Sequence, residues 1–402
     1  MLSRGFRAAA AVAAALTAAG CAHVGGTAAP GEIDVRTLDV GSYSTQPLDL
    51  RYTYYNDLGG GRELAMMRLA GRMATGPDID PALKYGIGAQ PIGDVDAATK
   101  VLDAATAPAL ARNGMLFGYS ADHTDREPAE SGSLRGSTFA KVLVLQFPGD
   151  AAAAQAAAEI DDLDFAVAAE ENQHVTLPKY PTAHAHWRPT ISHIGSTIAH
   201  GSYVVRIVAG VRETNIDQLV DLVGKIYGAQ LPLLDSLRPL SREDMLRLPY
   251  DSDGMLRRTL NPDGFGSPNS KNLAVFEPRG FLNQVKNQEL WTRLANESGL
   301  DRFALNSSMS NESMLFRTRD TAAARKLTSE MLGAPYPGAA DAPPGIPDAL
   351  CGESARERDY STKRFRCVVT YRQYVATVEG DQLSDAQQRA AAQYALLANS
   401  TW

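Results

Sequence analysis

Five of the chain's seven histidines, His174, His184, His186, His193 and His200, crowd into one short stretch of a 402-residue sequence. Imidazole is the commonest metal ligand and a ready proton acceptor near neutral pH. In extended chain His184 and His186 share one face, as a metal-binding pair requires. No cysteine or suitably spaced carboxylate completes the set, so no metal is assigned. Trp187 and the prolines Pro178, Pro181 and Pro189 predict an irregular surface crossing here.

Other groups with chemical potential are weaker. Asp161, Asp162, Asp164, Glu170 and Glu171 could act as acid and base or hold calcium. They end an alanine-rich helical stretch and read as a solvated face. Asp251-Ser-Asp253-Gly254 lacks the distal glutamate of a calcium loop. Gly59-Gly60-Gly61-Arg62 precedes an expected helix, Glu63 to Met73, whose free amides could meet an anion. It matches neither a P-loop nor a dinucleotide fingerprint, and reads as a turn. Gly118-Tyr-Ser120-Ala-Asp122 lacks the second glycine of a nucleophile elbow. No Ser-x-x-Lys or His-Glu-x-x-His occurs. No catalytic residue and no cofactor is therefore assigned. Arg356, Arg358, Lys363, Arg364 and Arg366 could meet phosphate headgroups. Their neighbours Glu353, Glu357 and Asp359 reduce that field, leaving a salt-laced hairpin.

The cysteines say more about place than about chemistry. Arg4 and Arg7, the apolar run Ala8 to Leu16 and the small residues to Gly20 have the grammar of a secretory leader. Cys21 directly after it looks like a lipobox, with cleavage between Gly20 and Cys21 and acylation, palmitate included, on the Cys21 thiol. Ala18 stands where leucine is usual in such a box. The apolar run is too short to span a bilayer, which takes about 20 residues. Outside the cytoplasm the remaining Cys351 and Cys367 are expected to oxidise to a disulfide. That bridge would contribute roughly 3 kcal/mol. Loss of Arg4 and Arg7 with the leader takes the net charge from −7 to −9. An acidic exported chain disfavours nucleic acid as a partner.

An internal repeat organises the body. Lys141 to Phe147 reads as a strand leading to a helix capped by Asp150. Met314 to Thr318 reads as a strand leading to a helix capped by Asp320, an offset of 170 between the caps. Tyr203 to Val208 and Tyr374 to Val378 repeat at 171. The first precedes a helix capped by Asn215, with Ile216, Leu219, Val220, Val223, Ile226 and Tyr227 on one face. The second precedes a helix opened by the capping box Ser384-Asp-Ala-Gln387. Leu110 to Phe117 and Leu294 to Asp301 repeat at 184, so the first half carries extra residues, within the polar loop 121–136. The expected fold is α+β: two related units, each a mainly antiparallel sheet with helices packed on one face. The expected layout is a signal peptide at 1–20, a lipidated N-terminus and flexible tether at 21–33, an N-terminal domain at 34–235, a connection at 236–270, and a C-terminal domain with the disulfide at 271–402.

Leu38-Asp-Val-Gly-Ser-Tyr43, Asn113-Gly-Met-Leu-Phe-Gly-Tyr-Ser120, Phe147-Pro-Gly-Asp-Ala-Ala-Ala-Ala154, His200-Gly-Ser-Tyr-Val-Val205 and Gln388-Arg-Ala-Ala-Ala-Gln-Tyr-Ala-Leu-Leu397 carry a further signal. In this order they resemble an uncharacterised family of two-domain actinobacterial lipoproteins, and the C-terminal cysteine pair fits it. The resemblance implies a lipid-anchored envelope protein with two related domains, and brings no catalytic residues. The expectation is a cell-membrane protein on the extracytoplasmic face, tethered through its lipid. Its role would be non-catalytic binding or scaffolding of an unknown envelope ligand or protein. The alternative is an envelope hydrolase with a site between the halves. A deep pocket with a perturbed histidine or carboxylate would favour the enzyme.

Overall fold

The first sheet contains β1 (Tyr85–Ile92), β2 (Phe117–Thr124), β3 (Phe139–Gln146), β4 (Gln173–His174), β5 (His184–Trp187), β6 (His193–His200) and β7 (Tyr203–Gly210), in the order β1-β2-β3-β7-β6-β5-β4. The second contains β8 (Leu273–Phe276), β9 (Arg302–Ser307), β10 (Glu312–Arg317), β11 (Gly338–Ala340), β12 (Leu350–Glu353), β13 (Phe365–Tyr371) and β14 (Tyr374–Gly380). Read from β8, its order is β8-β9-β10-β14-β13-β12-β11, the same permutation. All pairings are antiparallel. The computed structural model describes residues 32–47, 56–128, 132–262, 266–307, 312–333, 335–355 and 363–400. Gly20, Cys21, most of the tether, Arg356 and Arg358 lie outside these residues.

The repeat holds at the level of register. Gln146 faces Tyr203 as Arg317 faces Tyr374, the offset of 171 applying to both partners. Phe117 faces Gln146 as Arg302 faces Arg317. The extra length of the first half thus falls between Asp122 and Lys141, overlapping the expected loop 121–136, of which residues 121–124 instead complete β2.

Alternation along the central strands decides which helix covers which face. Leu143, Leu145 and Val204 share a cluster with Ala153, Ala156, Ala157 and Ile160 of the helix Asp150–Ala166. Their strand neighbours Val144, Val205 and Ile207 share one with Leu219, Val223, Ile226 and Tyr227 of the helix Ile216–Asp235. Each fully buried aliphatic side chain there contributes about 1.5–3 kcal/mol. The fold is α+β in two related units, with one addition to the expected picture. Helices lie against both faces of the first sheet, which is why β3 and β7 read as near-continuous apolar runs. In the second unit Thr321–Thr328 meets one face through Thr328 and Thr370, and Leu383–Ala398 meets the other through Tyr371 and Tyr394.

Local corrections have simple causes. Asn215 and Asp320 cap their helices as expected, accepting from Gln218 N and Ala323 N. Asp150 instead opens its helix from inside the first turn and accepts from Ser202 Oγ at 2.8 Å. Ser384 lies within a helix that starts at Leu383, so its box does not form. The stretch expected to be irregular holds β4, β5 and β6. Glycine, serine and alanine in β6 weaken its propensity, and cover on both faces hides its alternation.

The two sheets join within one compact body from Val35 onward. Gly86 N donates to Lys286 O and Gln288 N to Lys84 O, both at 2.9 Å. An isolated bridge between Tyr85 and Asn287 thus pairs the first end of β1's outer edge. A Cβ at Gly86 would lie 2.5 Å from Val285 O, so the junction requires glycine there. Cys351 and Cys367 face each other across β12 and β13 and form a disulfide, with Cα atoms 4.1 Å apart. Among the described residues no helix is long and apolar enough to cross a membrane.

Candidate ligand-binding site

The histidine stretch does not assemble as a metal centre. His174, His184 and His193 are exposed, and His174 stacks on Phe165 at 4.3 Å. His200 Nε2 sits 2.6 Å from Asp235. Among the described residues no three His, Cys, Asp or Glu side chains converge as metal ligands. His186 is buried between two carboxylates, Nδ1 3.0 Å from Asp161 Oδ1 and Nε2 3.2 Å from Asp164 Oδ2. Burial alone would lower its pKa. The hydrogen bonds and charges of Asp161 and Asp164 outweigh that and push it up to about 9. Arg206 closes the group on Asp164. The acidic run is therefore only partly a solvated face. Asp162, Glu170 and Glu171 are exposed, while Asp161 and Asp164 face inward because helical periodicity brings them under β5.

This ionic clamp forms one wall of a cavity of about 270 Å³ in the first unit. Its floor is one face of the sheet. Ser120 and Asp122 alternate along β2, Lys141 and Leu143 along β3, and Arg206 and Val208 along β7. The segment 100–106 and the helix end at Ile160 and Asp164 enclose it. Asp122 pairs in register with Lys141. Among the described residues no donor comes within hydrogen-bond reach of its carboxylate, and Lys141 acts on it only by charge. Burial pushes the Asp122 carboxyl up to about 6, against the smaller pull of Lys141. A carboxylate buried without a donor is costly to the fold, which makes this position a candidate for function. Sequence reasoning reaches Gly118-Tyr-Ser120-Ala-Asp122 only as a failed nucleophile elbow. Period-2 alternation, which puts Ser120 and Asp122 on one face, is the signal it passes over.

The equivalent place in the second unit is occupied. Glu312 and Glu379 stand where Lys141 and Val208 stand in the first. Tyr336 OH donates to Glu379 Oε1 at 3.0 Å, and Arg366 lies 4.4 Å over the Tyr336 ring. Of the remaining candidates, Lys363 pairs with Asp381 at 2.9 Å and Arg364 with Glu353 at 2.7 Å. Gly59, Gly60 and Gly61 lie in the first turn of the helix Leu58–Ala70 rather than before it. Asp57 takes up the Gly60 amide at 2.6 Å, and Arg62 donates to Gly93 O. Asp251 and Asp253 belong to a second cavity, between the helix Leu58–Ala70 and the β8–β9 edge of the second sheet.

No curated protein matches the chain, and no solved structure does. Residues 52–250 match a family described as "Domain of unknown function (DUF7373) N-terminal", and residues 255–400 match "Domain of unknown function (DUF7373) C-terminal". The two meet between residues 250 and 255, inside the segment that joins the two sheets. Together they cover most of the sequence, and the chain belongs to this two-domain DUF7373 family.

Proposed function

We propose that this chain is a lipid-anchored cell-envelope protein, a non-catalytic binding module that receives a small amine-bearing ligand in the cavity of its first unit. The observation that carries the reading is Asp122, a desolvated carboxylate facing about 270 Å³ of space with no donor of its own. An ammonium group entering the cavity can donate the hydrogen bonds that Asp122 lacks. The clamp of His186, Asp161, Asp164 and Arg206 holds the wall in place before a ligand arrives, which lowers the ordering cost of binding. Two tests apply. Native mass spectrometry of protein extracted from the envelope should retain a small amine that Asp122→Asn loses; equal retention by the variant contradicts the site. Cys21→Ser should move the protein from the membrane to the soluble or secreted fraction, since two acyl chains at about 0.8 kcal/mol per methylene anchor stably. Unchanged partitioning contradicts the anchor.

A second reading is an envelope hydrolase, which a pocket holding a perturbed carboxyl favours, with its site in the first unit rather than between the halves. Its supporting observation is the same carboxyl, which near pH 6 is suited to accept a proton and shares the cavity with Ser120. Turnover of an amino-ester that disappears in both Ser120→Ala and Asp122→Asn would favour it; stoichiometric binding without turnover favours the module.

A further inference from the structure

A second cavity, of about 310 Å³, lies between the helix Leu58–Ala70, the segment 248–253 and the β8–β9 edge of the second sheet. The helix Leu58–Ala70 lends it Leu64, Met67 and Arg68, and β8 lends Val275 and Phe276. Asp251 and Asp253, which the sequence offers as a broken calcium loop, sit on its rim. Their charges are already satisfied. Asp253 binds Arg302 at 2.6 Å, and Asp251 accepts from Leu256 N and Arg257 N at 2.9 and 3.2 Å. Glu277 is held by Arg72. Arg68 differs. It donates Nη1 to Arg238 O at 2.9 Å, and among the described residues no carboxylate lies within ion-pair distance. Burial disfavours its cation, as do the like charges of Arg72 and Arg238, against the opposing pull of Tyr203 and Glu277. A guanidinium with no carboxylate in ion-pair reach, beside an apolar wall, is complementary to an anion with a hydrocarbon part.

We propose that this cavity binds an anionic amphiphile, its carboxylate or phosphate head on Arg68 and its alkyl chain against Leu64, Met67 and Phe276. The guanidinium fork matches either head in bidentate fashion. The volume lies at the small end of ligand pockets, which run from about 300 to 1,000 Å³. The site shares no residue with the Asp122 cavity and does not depend on it.

Calorimetric titration of the full mature chain with decanoate, decyl phosphate, decanol and inorganic phosphate tests the assignment. The two ten-carbon anions should bind saturably. Decanol and inorganic phosphate should bind at least tenfold more weakly. Arg68→Gln should weaken decanoate at least tenfold, with Arg68→Lys restoring part. Met67→Trp, which fills the tail space and leaves the cation, should abolish decanoate binding and carries the test should Arg68→Gln not fold. Decanoate preferred over decyl phosphate points to a free fatty acid, the reverse to a lipid phosphate; either supports the site. Arg68→Gln binding decanoate like the parent, decanol equalling decanoate, or neither anion binding would overturn it. Amine binding at Asp122 should be unchanged in these variants, so failure of one site leaves the other standing.

Discussion

Asp122→Asn should make the protein more stable at neutral pH, which is unusual for replacing a partly buried charged residue. In the folded chain the carboxyl titrates near 6, against 3.8 without burial. The folded state therefore binds this proton more tightly than the unfolded state does. Stability is highest with the group protonated in both states, falls as pH rises from about 4 to 6, and is flat above. A difference of about two pKa units corresponds to roughly 3 kcal/mol at about 1.4 kcal/mol per unit. The cavity admits water, so about 1–2 kcal/mol is the expected gain. Asparagine keeps the shape and removes the charge. Urea unfolding of parent and variant at pH 7.5 and pH 4 measures the effect. The variant should gain about 1–2 kcal/mol at pH 7.5 and little at pH 4. A variant less stable than the parent at pH 7.5 would refute the reasoning, because it would mean that Lys141 or a donor already compensates Asp122. The gain should come with lost ligand binding, the usual trade between stability and a functional site.

Other consequences follow from the same geometry. His186 titrates near 9 when folded and near 6.5 when free, so its contribution is full below about pH 6.5 and is lost as pH rises through 9. His186→Ala should cost roughly 3 kcal/mol at pH 6 and much less at pH 10, as read by unfolding at both; a pH-independent cost would contradict the charged clamp. A Cβ on Gly195 would come within 2.8 Å of Arg206 Nη2. Gly195→Ala should therefore displace the guanidinium from Asp164 and cost about 1–3 kcal/mol, seen as a lower melting temperature. Reduction of Cys351–Cys367 should cost the second unit roughly 2–4 kcal/mol and leave hydrogen exchange of β3 and β7 nearly unchanged. Free thiols at Cys351 and Cys367 in freshly isolated, unreduced protein would contradict that.

The architecture is largely legible because the repeat is. Matching strand–helix pairs at offsets of 170 and 171 reveal the two related units, and the offset of 184 locates the longer hairpin. The helix Ile216–Asp235 announces itself through a clean face of helical period. The short outer strands at one end of each sheet are not legible. β4, β5, β11 and β12 hold only two to four residues each, too short for a period to register. The clamp is hidden for another reason. Asp161 and Asp164 sit among exposed acids, and only the fold brings His186 and Arg206 to them. Asp122 escapes notice because a motif search tests Ser120 as a nucleophile, while the informative fact is a carboxylate on an otherwise covered sheet face.

The ligand seat at Asp122 is tested most directly by titrating ¹⁵N-labelled protein with small primary amines and following amide shifts. The expected result is saturable perturbation confined to β2, β3, β7 and the segment 100–106 in the parent, and its loss in Asp122→Asn under conditions where the variant is folded and more stable. Shifts scattered over the surface without saturation, or the same saturable response in Asp122→Asn, would contradict it.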